Sequence, residues 1–230
     1  MQVNMHIRVQ EVTRNNALLA LSREICFKEY MRIYAGDHLN TESPEQLWKE
    51  ANLVGKVPWL KTLMAFDLSS DRPQPLATCN LKIGRICCQE GVKLDFQHYL
   101  KPKDGVSFED VGVCPEKTLE VNMFAFAPDI SETKDVNFKI EIFRQIHSHG
   151  ILLGQQYGCN QYWSVLTKAF ARFVLIHCKL PCQRLDAFEL NEESADLFNR
   201  FPKYWRKGKP GLYRTGPMIT NGSSNYLSDR

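Results

Sequence analysis

The chain lacks any run of about 18 apolar residues, the length a membrane-crossing helix needs. No membrane partner is therefore expected. Its opening, Met1-Gln-Val-Asn-Met-His-Ile-Arg8, has no apolar stretch of the secretory type. Without such a signal the eight cysteines read as free thiols of an intracellular protein, not as a disulfide framework. Gly-x-Ser-x-Gly and glycine-rich phosphate loops are also missing, which removes two common routes to covalent and phosphoryl chemistry. No Cys or His follows Cys182.

What is present supports a folded protein. Apolar residues make up 43% of the chain, enough for a packed core. The net charge of +3 is unevenly spread: residues 1–66 carry +1, 67–199 carry −4 and 200–230 carry +6. Leu76–Pro102 alternates apolar residues on either side of Gln89-Glu-Gly91, and this pattern predicts a long β-hairpin turning at Gly91. Residues 14–34 repeat apolar side chains at helical spacing. Ser43-Pro44 opens a second helix and Pro58 a third, through about Phe66. Further on, the pattern predicts helices over Val136–Ile146, Trp163–Ile176 and Glu192–Phe201, a short apolar run Ile151–Leu153, and a strand at Leu185–Leu190. That order suits a mixed sheet with helices on its faces.

Three stretches, Arg14–Glu24, Leu47-Trp-Lys49 and Pro58-Trp-Leu60, resemble an HMG box. Cys79, the Gln89–Gly91 turn, Asp95-Phe96, Lys101-Pro102, Ile140–Phe143, Gly150–Leu153, Leu185–Phe188 and Leu197-Phe198 are similar to a Maelstrom domain. The resemblance to the Maelstrom family covers roughly residues 14–200. It implies a small three-helix HMG-like unit at 10–66 and an α/β mixed-sheet, RNase H-like domain at 67–201. A basic tail, expected to be disordered, follows at 202–230.

Function follows from the resemblance as an expectation. It implies a germline transposon-silencing factor of the nucleus and cytoplasm, including perinuclear granules, whose partners are single-stranded RNA and piRNA-pathway proteins. The alternatives are a metal-independent single-stranded RNA ribonuclease and a non-enzymatic α+β interaction domain. The reading favours a non-enzyme. Metal-dependent cleavage needs several carboxylates around two ions, and the nearest match is Asp67-Leu-Ser69, with Asp71, Asp186 and Glu189 left over. The position matching the family's ligating Glu is Asn80. No cofactor and no metal are expected. Zinc is the alternative, through His147, His149, Cys159, His177, Cys178 and Cys182. The tail interleaves cations with aromatics, so Lys203, Tyr204, Trp205, Arg206, Lys207 and Lys209 are the RNA-binding candidates, against a terminus whose rings merely dock on the domain. Arg14, Trp48 and Lys49 are the DNA-binding candidates, with weak or no binding expected because 1–66 carries only +1.

Overall fold

A computed structural model describes residues 6–13, 16–34, 53, 55–69, 71–103, 105–191 and 207–216. Seven strands form one mixed sheet in the order β1-β2-β3-β5-β6-β9-β7. They are β1 (Ile7–Glu11), β2 (Leu60–Asp67), β3 (Gln74–Ile83), β5 (Thr118–Phe126), β6 (Gln161–Leu166), β7 (Gln183–Leu185) and β9 (Gly211–Arg214). Every neighbouring pair is antiparallel except β5 and β6. Two short strands, β4 (Leu100–Pro102) and β8 (Phe188–Leu190), pair separately. Helix α1 (Asn16–Tyr34) covers one face of the sheet and α5 (Val136–Gln156) the other. Among the described residues no helix is long and apolar enough to cross a membrane.

The long helices follow the pattern expected of them. Apolar side chains of α1 such as Leu19, Ile25 and Cys26 are buried in the core on their side of the sheet. In α5, Ile142, Phe143, Ile146, Gly150 and Leu153 recur at three- and four-residue steps and are buried. The Asp135 carboxylate caps this helix, accepting from the Phe138 amide at 3.0 Å.

Several expectations are corrected. Residues 58–66 are not a third helix, because Leu60–Phe66 is the interior strand β2. A strand covered on both faces reads as a continuous apolar run, which periodicity does not separate from a short buried helix. The expected boundary at 66/67 falls inside β2, and β1 joins the same sheet, so residues 10–66 form no separate three-helix unit. The second helix, from Ser43, lies outside the described residues, as does Glu192–Phe201. The hairpin over Leu76–Pro102 is replaced by β3, then α2 (Gly84–Gln89), then α3 (Asp95–Tyr99), then β4. Its first arm is a strand, but the partner of β3 is β5, from far along the chain. Trp163–Leu166 belongs to β6, and the helix that follows is α6 (Lys168–Arg172), continued by a π-helical turn at Phe173–His177. The predicted strand at Leu185–Leu190 is split between β7 and β8, in different sheets. The span 202–230 holds β9, an internal strand bonded to β6 on one side and β7 on the other. Pro210–Tyr213 is buried there, which no solvated tail permits.

Gly84 makes the turn from β3 into α2 possible. A Cβ at this position would stand 1.9 Å from the Pro115 carbonyl oxygen and 2.7 Å from that of Thr118. Both obstacles are backbone, so nothing can rotate away. Gly84→Ala is expected to cost about 3 kcal/mol, the upper end of overpacking penalties. A chemical-denaturation midpoint equal to that of the parent protein would show that the two segments can separate freely.

Candidate functional site

The one parallel pair among the described residues, β5 and β6, opens into a groove. β5 and β6 are bonded over Thr118–Val121 and Gln161–Ser164, and their pairing ends there. A bulge in β5 accounts for the parting. Leu81 of β3 faces Val121 while Asn80 faces Met123, so Asn122 is an extra residue. A bulge bends and twists its strand, and here it turns β5 away from β6. It also inverts the alternation of faces. Glu120, Met123 and Ala125 lie on the α1 side, whereas Leu119, Val121, Phe124 and Phe126 pack toward α5.

The groove has about 580 Å³ between its walls, part of it open to solvent. Phe124 and Ala125 of β5 face Val165 of β6 and Phe170 of α6 across it, and Glu29 and Tyr30 of α1 stand at its side. Glu29 is buried and firmly held. Arg32 donates to both its oxygens, Nε to Oε2 at 3.0 Å and Nη2 to Oε1 at 2.9 Å. The Ser131 hydroxyl, on the short helix α4 (Pro128–Glu132), donates to Oε1 at 2.6 Å and accepts from Arg32 Nη2 at 2.7 Å. These bonds tie α1 to the segment that leaves β5.

A buried charged cluster supports the bulge from below. The Lys82 ammonium, 1% exposed, meets Asp95 Oδ1 at 2.5 Å and lies 5.5 Å from the centre of the Trp59 ring. Asn122, at the groove wall, donates its side-chain amide to the other Asp95 oxygen. Glu120 is fully buried and accepts from the backbone amides of Asp95 at 2.6 Å and Phe96 at 2.9 Å. Burial pushes its carboxyl well above the usual carboxylate range. The Asp95 charge adds to this, while Lys82 and the two amides oppose it. Lys82 and Asp95 form an ion pair, and burial beside them favours the protonated form of Glu120.

Trp59 and Asp95 entered the sequence reading only as parts of the resemblance, and Lys82, Glu120 and Asn122 carried no signal there. Thr78, Asn80 and Lys82 alternate with apolar residues along β3, a pattern that reads as a solvent face. The structure buries all three, Thr78 against Ser22 of α1, Asn80 against Thr62 and Lys82 against Asp95. The available signal was in α1, whose apolar residues Leu18, Leu19, Leu21, Ile25 and Cys26 are too many for a helix lying on a polar surface.

The residues singled out from sequence are scattered. Asp67 bonds Ser69 within its own turn. Asp186 pairs with Arg184 and Glu189 with Lys101. Asn80 is buried, its Oδ1 accepting from Thr62 Oγ1 at 2.7 Å. His147 Nε2 bonds the Thr215 carbonyl and His149 Nδ1 that of Gln145. Among the described residues no three His, Cys, Asp or Glu side chains form a group able to hold a metal. Burial pushes the Cys159, Cys178 and Cys182 thiols up to about 11, so they are poor zinc donors and poor nucleophiles at neutral pH. Lys207 and Lys209 are exposed just before β9. Lys203, Tyr204, Trp205, Arg206, Arg14, Trp48 and Lys49 lie outside the described residues.

Comparison with solved structures follows this geometry. AAC(6')-Ib in complex with ribostamycin and coenzyme A superposes with a TM-score of 0.50 at 11% identity, over 96% of this chain and 99% of that one. The AHL synthase LasI superposes with a TM-score of 0.50 at 12% identity, over 92% of this chain and 90% of that one. The fold is the GNAT acetyltransferase fold. No protein-family model matches the sequence, and no curated protein is similar to it.

This likeness overturns the Maelstrom reading. The sheet is that of the GNAT fold, not an RNase H-like core behind an HMG-like unit. With it go the roles drawn from the resemblance: piRNA-pathway silencing, single-stranded RNA and piRNA-pathway proteins as partners, and single-stranded ribonuclease activity. The preference for a non-enzyme also falls, because the fold is one that acetyltransferases use. Order and pattern alone misled here. Helix, strand and turn signals at similar spacing fit two different mixed-sheet folds, because the strand neighbours that distinguish them are distant in sequence.

Proposed function

We propose that the protein is an acyltransferase that moves an acyl group from a thioester, held in the groove between β5 and β6, to an amine. The observation that carries this reading is the parting of the two parallel strands beyond Val121 and Ser164. Ligands of open α/β sheets sit outside the carboxyl ends of parallel strands. Here that end is already open and walled by apolar side chains. Along residues 123–126 the β6-facing edge of β5 has no strand partner among the described residues, so an extended arm bearing amide groups can add to it as a strand does. AAC(6')-Ib, which shares the fold, was solved with coenzyme A.

Coenzyme A itself meets an obstacle here. Its diphosphate needs free backbone amides and positive charge, which the start of a helix following β5 would supply. The segment from Ala127 to Asp135 instead holds Asp129, Glu132 and Asp135 against one cation, Lys134, and no glycine. The Asp135 carboxylate already occupies the start of α5. Lys139 donates to the Ser131 carbonyl and Arg32 is engaged with Glu29. The diphosphate does not fit, whereas a pantetheine-like thioester arm fits the groove.

In the reaction the amine nitrogen attacks the thioester carbonyl, the C–N bond forms, the C–S bond breaks, and the second proton lost from the nitrogen passes to the departing sulfur to give a thiol. Backbone N–H groups on the parted edge of β5 are the donors available to the carbonyl oxygen as it becomes negative. Glu29 is the carboxylate beside the groove that can hold the incoming ammonium and take its proton, with Arg32 and Ser131 fixing its orientation. The test is incubation with acetyl- and octanoyl-pantetheine and a panel of primary amines, followed by mass spectrometry. An N-acyl product with one free thiol per turnover is expected, and Glu29→Gln is expected to slow its formation by about two orders of magnitude. Absence of product with every donor and amine, in protein that binds no thioester, overturns the reading.

A further inference from the structure

The groove opens at a basic end of the sheet. Residues 167–185 and 207–216 carry seven Lys or Arg and no Asp or Glu. Asp186, next along the chain, is held by Arg184 at 3.1 Å. Leu166, Thr167 and Phe170 line the groove, so α6 starts at its mouth. Lys168, Arg172 and Leu175 follow at four- and three-residue steps, and all three are exposed. Leu175 is 51% and its neighbour Ile176 44% exposed, while Val174 and Cys178 pack inward against Phe143 of α5. Lys207 and Lys209 reach the same end from the other direction. Gly211 is paired with Leu166, and Lys209 stands two residues before it. The Lys209 backbone is left-handed, φ 44°, a conformation that favours Gly, yet the position carries a cation. Lys168, Arg172, Lys207 and Lys209 have no carboxylate within ion-pair distance among the described residues. On the other side of the mouth, the segment after β5 holds Asp129, Glu132 and Asp135 against Lys134.

We propose that the face formed by α6, the turn after it and the approach to β9 docks an acidic protein that carries the thioester on a phosphopantetheine arm. The donor then arrives tethered to a partner. This rests on the reading of the groove as a thioester site and adds the class of partner that delivers the arm. The acids that keep a nucleotide diphosphate away from the start of α5 leave the far end of the arm to be held by something else. Four cations without counter-charges match an acidic surface, and the phosphate that joins the arm to its carrier brings one more negative charge to the mouth. The acids after β5 repel the same partner, which directs it to the α6 and β9 side. Leu175 and Ile176 supply an apolar contact among the cations. An anionic membrane would match the same charges but brings no thioester to the groove, so the carrier accounts for the place of this face as well as its sign.

Binding to the full chain is measured for acetyl-pantetheine and for an acetyl-loaded acyl carrier protein of strongly negative net charge. At low salt the carrier is expected to bind at least about tenfold more tightly than the free arm, the order that a few exposed ion pairs supply together. This advantage should shrink as salt screens the charges. Lys168→Glu with Arg172→Glu, and Lys207→Glu with Lys209→Glu, are each expected to weaken the carrier at least about fivefold and to leave acetyl-pantetheine unchanged. As a measurement independent of variants, the carrier is cross-linked to the unmodified protein with a carbodiimide, which joins carboxylates to amines. Cross-linked peptides are expected to contain Lys168, Lys207 or Lys209. Equal affinity for the carrier and the free arm, or cross-links confined to other lysines, overturns the inference while leaving the groove as a thioester site. Phosphatidylglycerol vesicles that retain the chain through these cations, with no preference for the carrier over the free arm, would assign the face to a membrane and overturn it likewise. Failure of both the free arm and the carrier to bind overturns both readings.

Discussion

Lys82→Met is expected to destabilise the protein by about 3–5 kcal/mol, the usual cost of removing one member of a buried ion pair. The side chain is retained in size, so the loss is electrostatic. Asp95 keeps its bond from Asn122 but loses the ammonium at 2.5 Å, which leaves its charge buried without a cation. Whole domains are stable by only about 5–15 kcal/mol. The melting temperature should fall by about 10 °C or more for a chain of this size. Adding Asp95→Asn to Lys82→Met removes the stranded charge, and the double variant should recover much of the loss. If the double variant melts no higher than the single one, the ion pair is not what holds α3 against the sheet.

The same cluster makes stability depend on pH. Because burial raises the Glu120 pKa, the folded protein keeps this proton at pH values where the unfolded chain has lost it. The folded state then binds more protons, so stability falls as pH rises, from the ordinary carboxylate range up to the raised folded value. Glu120→Gln cannot lose a proton. It also turns an NH₂ toward one of the two backbone amides, a cost of about 1 kcal/mol at acid pH. Its melting temperature should therefore start lower and lack the decline of the parent protein between pH 5 and pH 8. Parallel curves for the two proteins over that interval would rule out Glu120 as the titrating group.

Val165→Trp is expected to abolish thioester binding without unfolding the chain. Val165 is half-buried on the β6 wall of the groove and packs at the margin of the core, so a larger side chain extends from there into the groove. An indole there fills the gap between β6 and the parted half of β5 and covers the edge that the donor arm would use. Affinity for octanoyl-pantetheine should weaken at least about tenfold, or 1.4 kcal/mol, with the melting temperature close to that of the parent. Undiminished binding to a folded Val165→Trp protein would place the ligand elsewhere and remove the groove from the proposed mechanism.

Parts of this architecture were legible beforehand. The amphipathic pattern of 14–34 and the helical run from Val136 correspond to α1 and α5, because helices declare themselves through contacts three and four residues apart. The alternation after Leu76 marked β3 correctly, and Gly91 does adopt the positive φ, +66°, that its turn position suggested. Its supposed partner strand was misplaced, because the bonds β3 makes go to residues 60–67 and 118–126. The groove was not legible at all. It arises from one extra residue, Asn122, whose effect exists only once β5 is laid against β3.

Local chemistry therefore determined the two long helices, the apolar content of the core and the absence of the common phosphate-binding and nucleophile motifs. Tertiary structure decided which strands are neighbours, that Lys82, Asp95 and Glu120 meet in a space closed to water, and that β5 and β6 part to leave a cleft. The physical reason is range. Periodicity and capping act within a few residues, whereas pairing between strands, burial of charge and the opening of a sheet depend on segments that the chain brings together from afar.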